Sequence, residues 1–344
     1  MPLSTSKSGG PKSGEGLSII SGATPVTFAR YQPGGMKMTP HIPVDRVFRA
    51  AESKTDEAVS VWNLQAKLGE GPVWSEADSA FYFVDILSCA LHRYRPSDGM
   101  RSTWHVKRRP TFLVPTQDGG LICGMEDGLY LFDPETGRIH PFMPVEQTHS
   151  RTRLNDAHVD RSGRLWFGTM DDKEELPIGS LYSMEGGDVA LRRHHSGYTI
   201  SNGPVVAPDG RTLYHCESAQ GVIYAFDVTS TGTLTGQRIF AEISNGAPDG
   251  LTMDSAGTLW VGIWGGHRLE RFSPEGVRLA PIPLPASNVT KAAFGGDDLR
   301  MVFITTARKG LSAAELEAEP LNGAMFCLRT ETPGMPQGLM MLPG

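Results

Sequence analysis

Residues 153–170 read RLNDAHVDRSGRLWFGTM: an alternating run, a tight turn of Asp, Ser and Gly, and a second run in which apolar side chains alternate with small or polar ones. Alternation on both sides of such a turn predicts a β-hairpin, because successive strand side chains face opposite ways. The turn and the run after it recur six times, as SEADSAFYFVDI (75–86), TQDGGLICGM (116–125), DRSGRLWFGTM (160–170), APDGRTLYHCES (207–218), DSAGTLWVGIW (254–264) and GGDDLRMVFITT (295–306). Their spacing of about 40 to 47 residues is the size of a four-stranded repeat. Six such units predict an all-β chain folded as one six-bladed β-propeller. The strand period and the lack of long 3.6-residue periodicity exclude a helical solenoid.

Outward from the repeat, residues 1 to 40 are rich in Ser, Gly, Pro and Lys and poor in aromatics, too little apolar surface to offset the entropy of ordering them. The stretch from His41 to Ser60 has mixed helical character. The predicted organisation is therefore a mostly disordered extension over 1–60 and a propeller domain over 61–344. A length of 344 residues suits a single large all-β domain, and 40 Gly and 25 Pro supply the turns it needs. A formal charge of −6 without clustered Lys and Arg argues against nucleic-acid binding. No apolar run reaches the roughly 18 residues of a membrane span, and no signal-peptide core is visible. The four cysteines, Cys89, Cys123, Cys216 and Cys327, are too scattered for a disulfide scaffold and read as thiols of a reducing compartment. A soluble cytoplasmic protein with a small-molecule partner is expected.

Counting back seven residues from each turn reaches Glu70, Thr111, Asn155, Asn202, Asp249 and Lys291. In a propeller the first strand of each blade lines the central channel, so residues at equal phase converge on one ring. Four of the six carry a carboxylate or carboxamide, within GEGPVW, LNDAHV, SNGPVV and PDGLTM. Asp and Asn beside Gly are also ordinary turn residues, and it is their repetition at one phase that favours a site over turn chemistry. An oxygen-only set without Cys or His suits one divalent cation, Ca²⁺, Mg²⁺ or Mn²⁺, and less readily Zn²⁺ or Fe²⁺.

These residues lie in motifs that resemble the SMP-30/gluconolactonase family of sugar lactonases. LGEGPVW (68–74), the 153–170 stretch, ISNGPVVAPDGRTLY (200–214), PDGLTMDSAGTLWVGIWGG (248–266) and TKAAFGGDDLRMVFITTAR (290–308) follow the family's order, and GAMFCLRTETPGMP (323–336) resembles its closing segment. The resemblance implies a six-bladed propeller, one catalytic divalent metal and hydrolysis of an aldonolactone such as glucono-, xylono-, arabinono- or galactonolactone. By the same resemblance Glu70, Asn202 and Asp249 are metal ligands and Asp249 is also the general base. Arg153 and Asn155 contact substrate, with Asn155 a direct or water-mediated fourth ligand. Ala157 and His158 stand where the family usually has Gly and Lys. An acidic substrate contact of some animal members falls near Lys173, with Glu174 beside it, and is not carried over.

Other chemistries find less support. There is no G-x-S-x-G nucleophile elbow, and the doublet His194-His195 would point to opposite faces of a strand, which makes surface residues of both. His158 and His267 lie near channel motifs, with a structural role as the default. Trp74, Trp166 and Trp260 are expected between sheets, while Trp264, followed by Gly265 and Gly266, is a candidate for stacking on a sugar. Lys291 at the ring phase is expected to point away from a bound cation. Two alternatives stay open: an aryl-ester or organophosphate hydrolase on the same metal ring, favoured by apolar pocket walls, and a non-enzymatic binding propeller in which the ion is structural.

Overall fold

The computed structural model describes residues 57–343, so the expected extension over 1–60 lies outside the described residues up to residue 56, while its last residues, Val59 and Ser60, are ordered in a strand and belong to the propeller. The described chain forms six four-stranded antiparallel sheets. Five are built in chain order, innermost strand first, over residues 69–105, 110–144, 152–198, 201–242 and 247–283. The sixth takes three strands, Asn288–Gly295, Met301–Ala307 and Met325–Arg329, from the C-terminal part. Its outer strand, Val59–Trp62, comes from the start of the described chain and pairs Val59 with Cys327. The innermost strands of successive blades touch in a closed circle, from blade 1 round to blade 6 and back to blade 1. The fold is therefore the six-bladed propeller that the repeat predicts.

The core is divided the same way. Six buried apolar clusters each draw most of their residues from two neighbouring blades. The seam between blades 6 and 1 is aromatic: Phe303 of blade 6 stacks 4.8 Å from Phe81 and 5.7 Å from Tyr94 of blade 1. Full burial of one such side chain contributes roughly 1.5–3 kcal/mol. At the channel wall the Thr290 hydroxyl donates to the Gly69 carbonyl, 2.7 Å away and 221 residues distant in sequence.

The repeated turn explains why blades 3 and 5 carry a tryptophan six residues after an aspartate. Asp160 Oδ1 accepts from the Ser162 and Arg164 amides, and its Oδ2 accepts from Trp166 Nε1 at 2.8 Å. Asp254 repeats this with the Ala256 and Thr258 amides and Trp260 Nε1. One carboxylate thus closes the turn and satisfies the indole that it buries. Beneath the turns, residues 333–340 cross from blade 5, where Ser255 N donates to the Pro333 carbonyl, to blade 2, where Gln117 N donates to the Met340 carbonyl. Met335, Pro336, Gln337 and Gly338 line a small cavity of about 60 Å³ at that end of the channel.

Candidate metal centre and substrate cavity

Each of the six innermost strands carries a β-bulge with one extra residue, and in every case it falls at or beside the ring position. Glu70 and Asn202 are the last paired residues before their bulges, whereas Thr111, Asn155, Asp249 and Lys291 lie within theirs. A bulge bends the strand and re-aims side chains, which is how consecutive blades can turn their polar groups onto the channel axis. Gly71 and Gly203, which follow Glu70 and Asn202, adopt φ of 54° and 51°, the left-handed region that a side chain resists. In blades 1 and 4 the glycine after the ring position is thus what the bulge's backbone requires.

Glu70, Asn155, Asn202, Asp249 and Arg153 line one cavity of about 460 Å³ at the end of the channel opposite the turns. All five are buried. The amides and the guanidinium form a chain: Arg153 Nη1 donates to Asn155 Oδ1 at 2.7 Å, Asn155 Nδ2 to Asn202 Oδ1 at 2.6 Å, and Asn202 Nδ2 to the Ser218 hydroxyl at 3.0 Å. Arg153 is anchored behind by Asp172, 3.2 Å from its Nε, and Arg109 holds Asp172 in turn. Burial lowers the pKa of Arg153, and Asp172 opposes that shift.

The carboxylates have no comparable support. Glu70 Oε2 accepts from the Gly71 amide at 3.1 Å, while Asp249 Oδ1 is buried without a hydrogen-bond partner. Burial, and then the charge of Asp156, pushes Glu70 from 4.5 up to about 8. Burial, Glu70 and Asp156 push Asp249 well above the ordinary carboxylate range. Buried, crowded and under-bonded carboxylates are costly unless a cation joins them. Glu70 and Asp249, with the Asn202 oxygen beside them, fit a divalent ion. Among the described residues no three His, Cys, Asp or Glu side chains group as metal ligands, so such a site depends on the amide oxygens.

The remaining ring positions go elsewhere. Thr111 is buried with its hydroxyl unpartnered and does not line the large cavity. Lys291 lies below the ring and pairs with Asp156 at 2.6 Å. His158 lines the small cavity at the turn end, with Nε2 unpartnered, and burial followed by Lys291 lowers its pKa to about 4. His267 is half exposed and faces Glu319. His194 and His195 are half-buried and not surface residues: His194 Nε2 meets the Ser183 hydroxyl at 2.7 Å, and His195 packs on Tyr198 and Phe226. Trp74, Trp166 and Trp260 are buried, and Trp264 lines the large cavity.

Two residues of the cavity wall are given no role by the sequence: Lys309, and Glu174, which stands beside Lys173 and is not carried over as a substrate contact. Glu174, in the loop after the inner hairpin of blade 3, is ion-paired with Lys309, which follows the second strand of blade 6. The pair joins opposite blades across the cavity mouth, and the Lys309 ammonium sits 6.0 Å from the Trp264 ring centroid. Only the AR-K-G context of Lys309 beside a blade motif could have hinted at it.

The chain matches the model of the SMP-30/gluconolactonase/LRE-like region over residues 68–308. It is 36% identical to 6-deoxy-6-sulfogluconolactonase of Pseudomonas putida, across 79% of this chain and 94% of that protein. It is 32% identical to L-arabinolactonase of Azospirillum brasilense, across 78% and 90%. Among solved structures, a calcium-binding protein described as regucalcin, from Agrobacterium tumefaciens, superposes with a TM-score of 0.77 at 27% identity, covering 81% of this chain and 95% of that one.

Proposed function

The chain belongs to the SMP-30/gluconolactonase/LRE-like family, and on that premise we propose that it hydrolyses a sugar lactone in the 460 Å³ cavity with the help of one divalent metal ion. The observation that carries this reading is the pair of buried carboxylates, Glu70 and Asp249, that lack the counter-charge their burial demands. Relatives named as lactonases of sugar acids support the substrate class, and the likeness to a calcium-binding protein supports a divalent cofactor.

Opening a lactone requires a polarised carbonyl, a deprotonated water and a stabilised oxyanion. A bound divalent ion supplies Lewis acidity and lowers the pKa of water. Glu70 and Asn202 would hold it, with Asn155 at the edge of the set. Asp249, whose Oδ1 is free of hydrogen bonds, accepts the proton of the attacking water. Arg153, fixed by Asp172 and Asn155, orients the substrate through its rigid fork and favours negative charge at the reacting centre. Trp264 and the Glu174–Lys309 pair close over the ring of the sugar. Among the described residues no helix is long and apolar enough to cross a membrane, and the four free thiols fit a cytoplasmic setting.

One observation favours the second reading. Leu68, Ile86, Met170, Ile200 and Pro248 make much of the cavity wall, which suits a less polar ester than a sugar lactone. The test is hydrolysis by chelator-stripped protein of aldono-1,4- and 1,5-lactones, unsubstituted lactones and aryl esters, with Mg²⁺, Ca²⁺, Mn²⁺, Zn²⁺ or Fe²⁺ restored singly. Metal-dependent turnover of one sugar series is the expected result. Turnover confined to aryl esters would replace the substrate assignment, and turnover indifferent to chelation would remove the metal.

A further inference from the structure

We propose that Lys291 is a built-in counter-cation that sets the charge of the channel for a single divalent ion and keeps Asp156 out of that ion's ligand set. The inference rests on the metal reading above, and it concerns the two ring-level residues for which that reading has no use.

Lys291 rises from the innermost strand of blade 6 and crosses the channel to blade 3, where its Nζ donates to Asp156 Oδ1 at 2.6 Å and to the Ala157 carbonyl at 3.1 Å. Both partners are buried. The route of the lysine stem is reserved by Gly250: a Cβ there would lie 2.5 Å from Lys291 Cβ and Cγ and 2.7 Å from Cδ. Asp156 is equally fixed. Its Oδ1 also accepts from the Ala157 amide at 2.7 Å, and its Oδ2 from the Gly203 amide of blade 4 at 2.9 Å. Lysine and aspartate therefore meet just below the ring, in a geometry that four strands specify.

Their charges act at ring level, because Asp156 directly follows Asn155 within the bulge of blade 3 and Lys291 holds the ring position within the bulge of blade 6. With Glu70 and Asp249 ionised around a cation, and with Arg153 and Lys309 already matched by Asp172 and Glu174, the carboxylates Glu70, Asp249 and Asp156 supply three negatives and Lys291 one positive, a net of −2 that one divalent ion neutralises. With lysine absent the buried cluster would carry −3, and Asp156 would be an unpaired carboxylate one residue from Asn155. Buried charge is tolerated only when it is paired, so the cluster would then draw a cation more strongly. A lysine that merely props up the fold would have the opposite effect on removal, loosening the site.

Calorimetric titration of the chelator-stripped full chain with Ca²⁺, and separately with Mn²⁺, tests this on wild type, K291M, D156N and the double variant K291M/D156N. Their net channel charges are −2, −3, −1 and −2. One ion per wild-type chain is expected, with K291M binding it at least tenfold more tightly, D156N at least tenfold more weakly, and the double variant within a few-fold of wild type. If K291M does not fold without metal, D156N against the double variant isolates the lysine, and the double variant is again expected to bind at least tenfold more tightly. Wild type binding one ion while K291M binds equally or less tightly, or D156N matching the double variant, overturns the role of Lys291 alone. A wild-type chain that takes up neither ion overturns the metal reading and this inference together.

Discussion

Replacing Glu70 by Gln exposes the strain that the channel carries when no metal is bound. Burial and the charge of Asp156 raise Glu70 from 4.5 to about 8. At 1.36 kcal/mol per pKa unit, the folded state loses on the order of 5 kcal/mol relative to the unfolded chain once this group is ionised in both. A raised carboxylate favours the folded state fully below about pH 4.5, and that stability is lost as pH climbs through 8. Glutamine is neutral throughout and escapes the loss. Urea denaturation of chelator-stripped protein, followed by tryptophan fluorescence at pH 5, 7 and 9, should show E70Q close to wild type at pH 5 and more stable by several kcal/mol at pH 9. Saturating Ca²⁺ should reverse the order at pH 9, because the ion rewards the ionised carboxylate that Gln lacks. Parallel pH profiles for the two proteins without metal, or equal stabilisation of both by metal, would refute the reasoning.

Asp249→Asn should preserve the fold and lower kcat by about 10²–10⁴-fold, the usual contribution of a general base; undiminished turnover in the lactone assay would remove Asp249 from that role. Arg153→Lys keeps the charge but loses the fork that meets Asn155 and Asp172, and kcat/KM should fall by about 10–100-fold, as expected for losing one charge-assisted hydrogen bond of roughly 1.5–3 kcal/mol. Gly203→Ala would set a Cβ 2.5 Å from Leu251 N at a φ of 51°, and should cost about 2–4 kcal/mol in urea denaturation through left-handed strain and overpacking. Lys309→Met removes the bridge to Glu174 and the ammonium beside Trp264 while keeping a side chain of similar length; it should change KM across the lactone panel with little effect on affinity for the metal.

The propeller was legible because a hairpin is local: each turn aspartate and each alternating run act within about a dozen residues, and the period does the rest. The ring was legible for the same reason, since equal phase in a repeat means equal height on the axis. The offset of the bulges was not, because NDAH-like and EGPV-like strands admit the extra residue one step apart. Reading Asp156 as part of a motif hid its bond to Lys291, and Glu174 and Lys309 carry no phase at all. All four belong to blades 3 and 6, which face each other across the channel and share no local pattern. The extra apolar character of the cavity wall has the same origin: Leu68, Ile86, Met170 and Ile200 meet only when three blades are in place.

The sixth sheet gives the protein a distinctive order of assembly during synthesis. Its outer strand, Val59–Trp62, leaves the ribosome first among the described strands, and its partner, Met325–Arg329, leaves last. Blades 1 to 5 can form their hairpins as they emerge, but the circle stays open, with the aromatic edge of blade 1 around Phe81 and Tyr94 uncovered, until Phe303 arrives. Joining ends so far apart in sequence carries the slow kinetics of non-local pairing. The inner strands that carry Glu70 and Lys291 come together only on that closure, so a nascent chain has no complete ion site to fill, and a truncated product lacking the final strand is left with an open sheet edge.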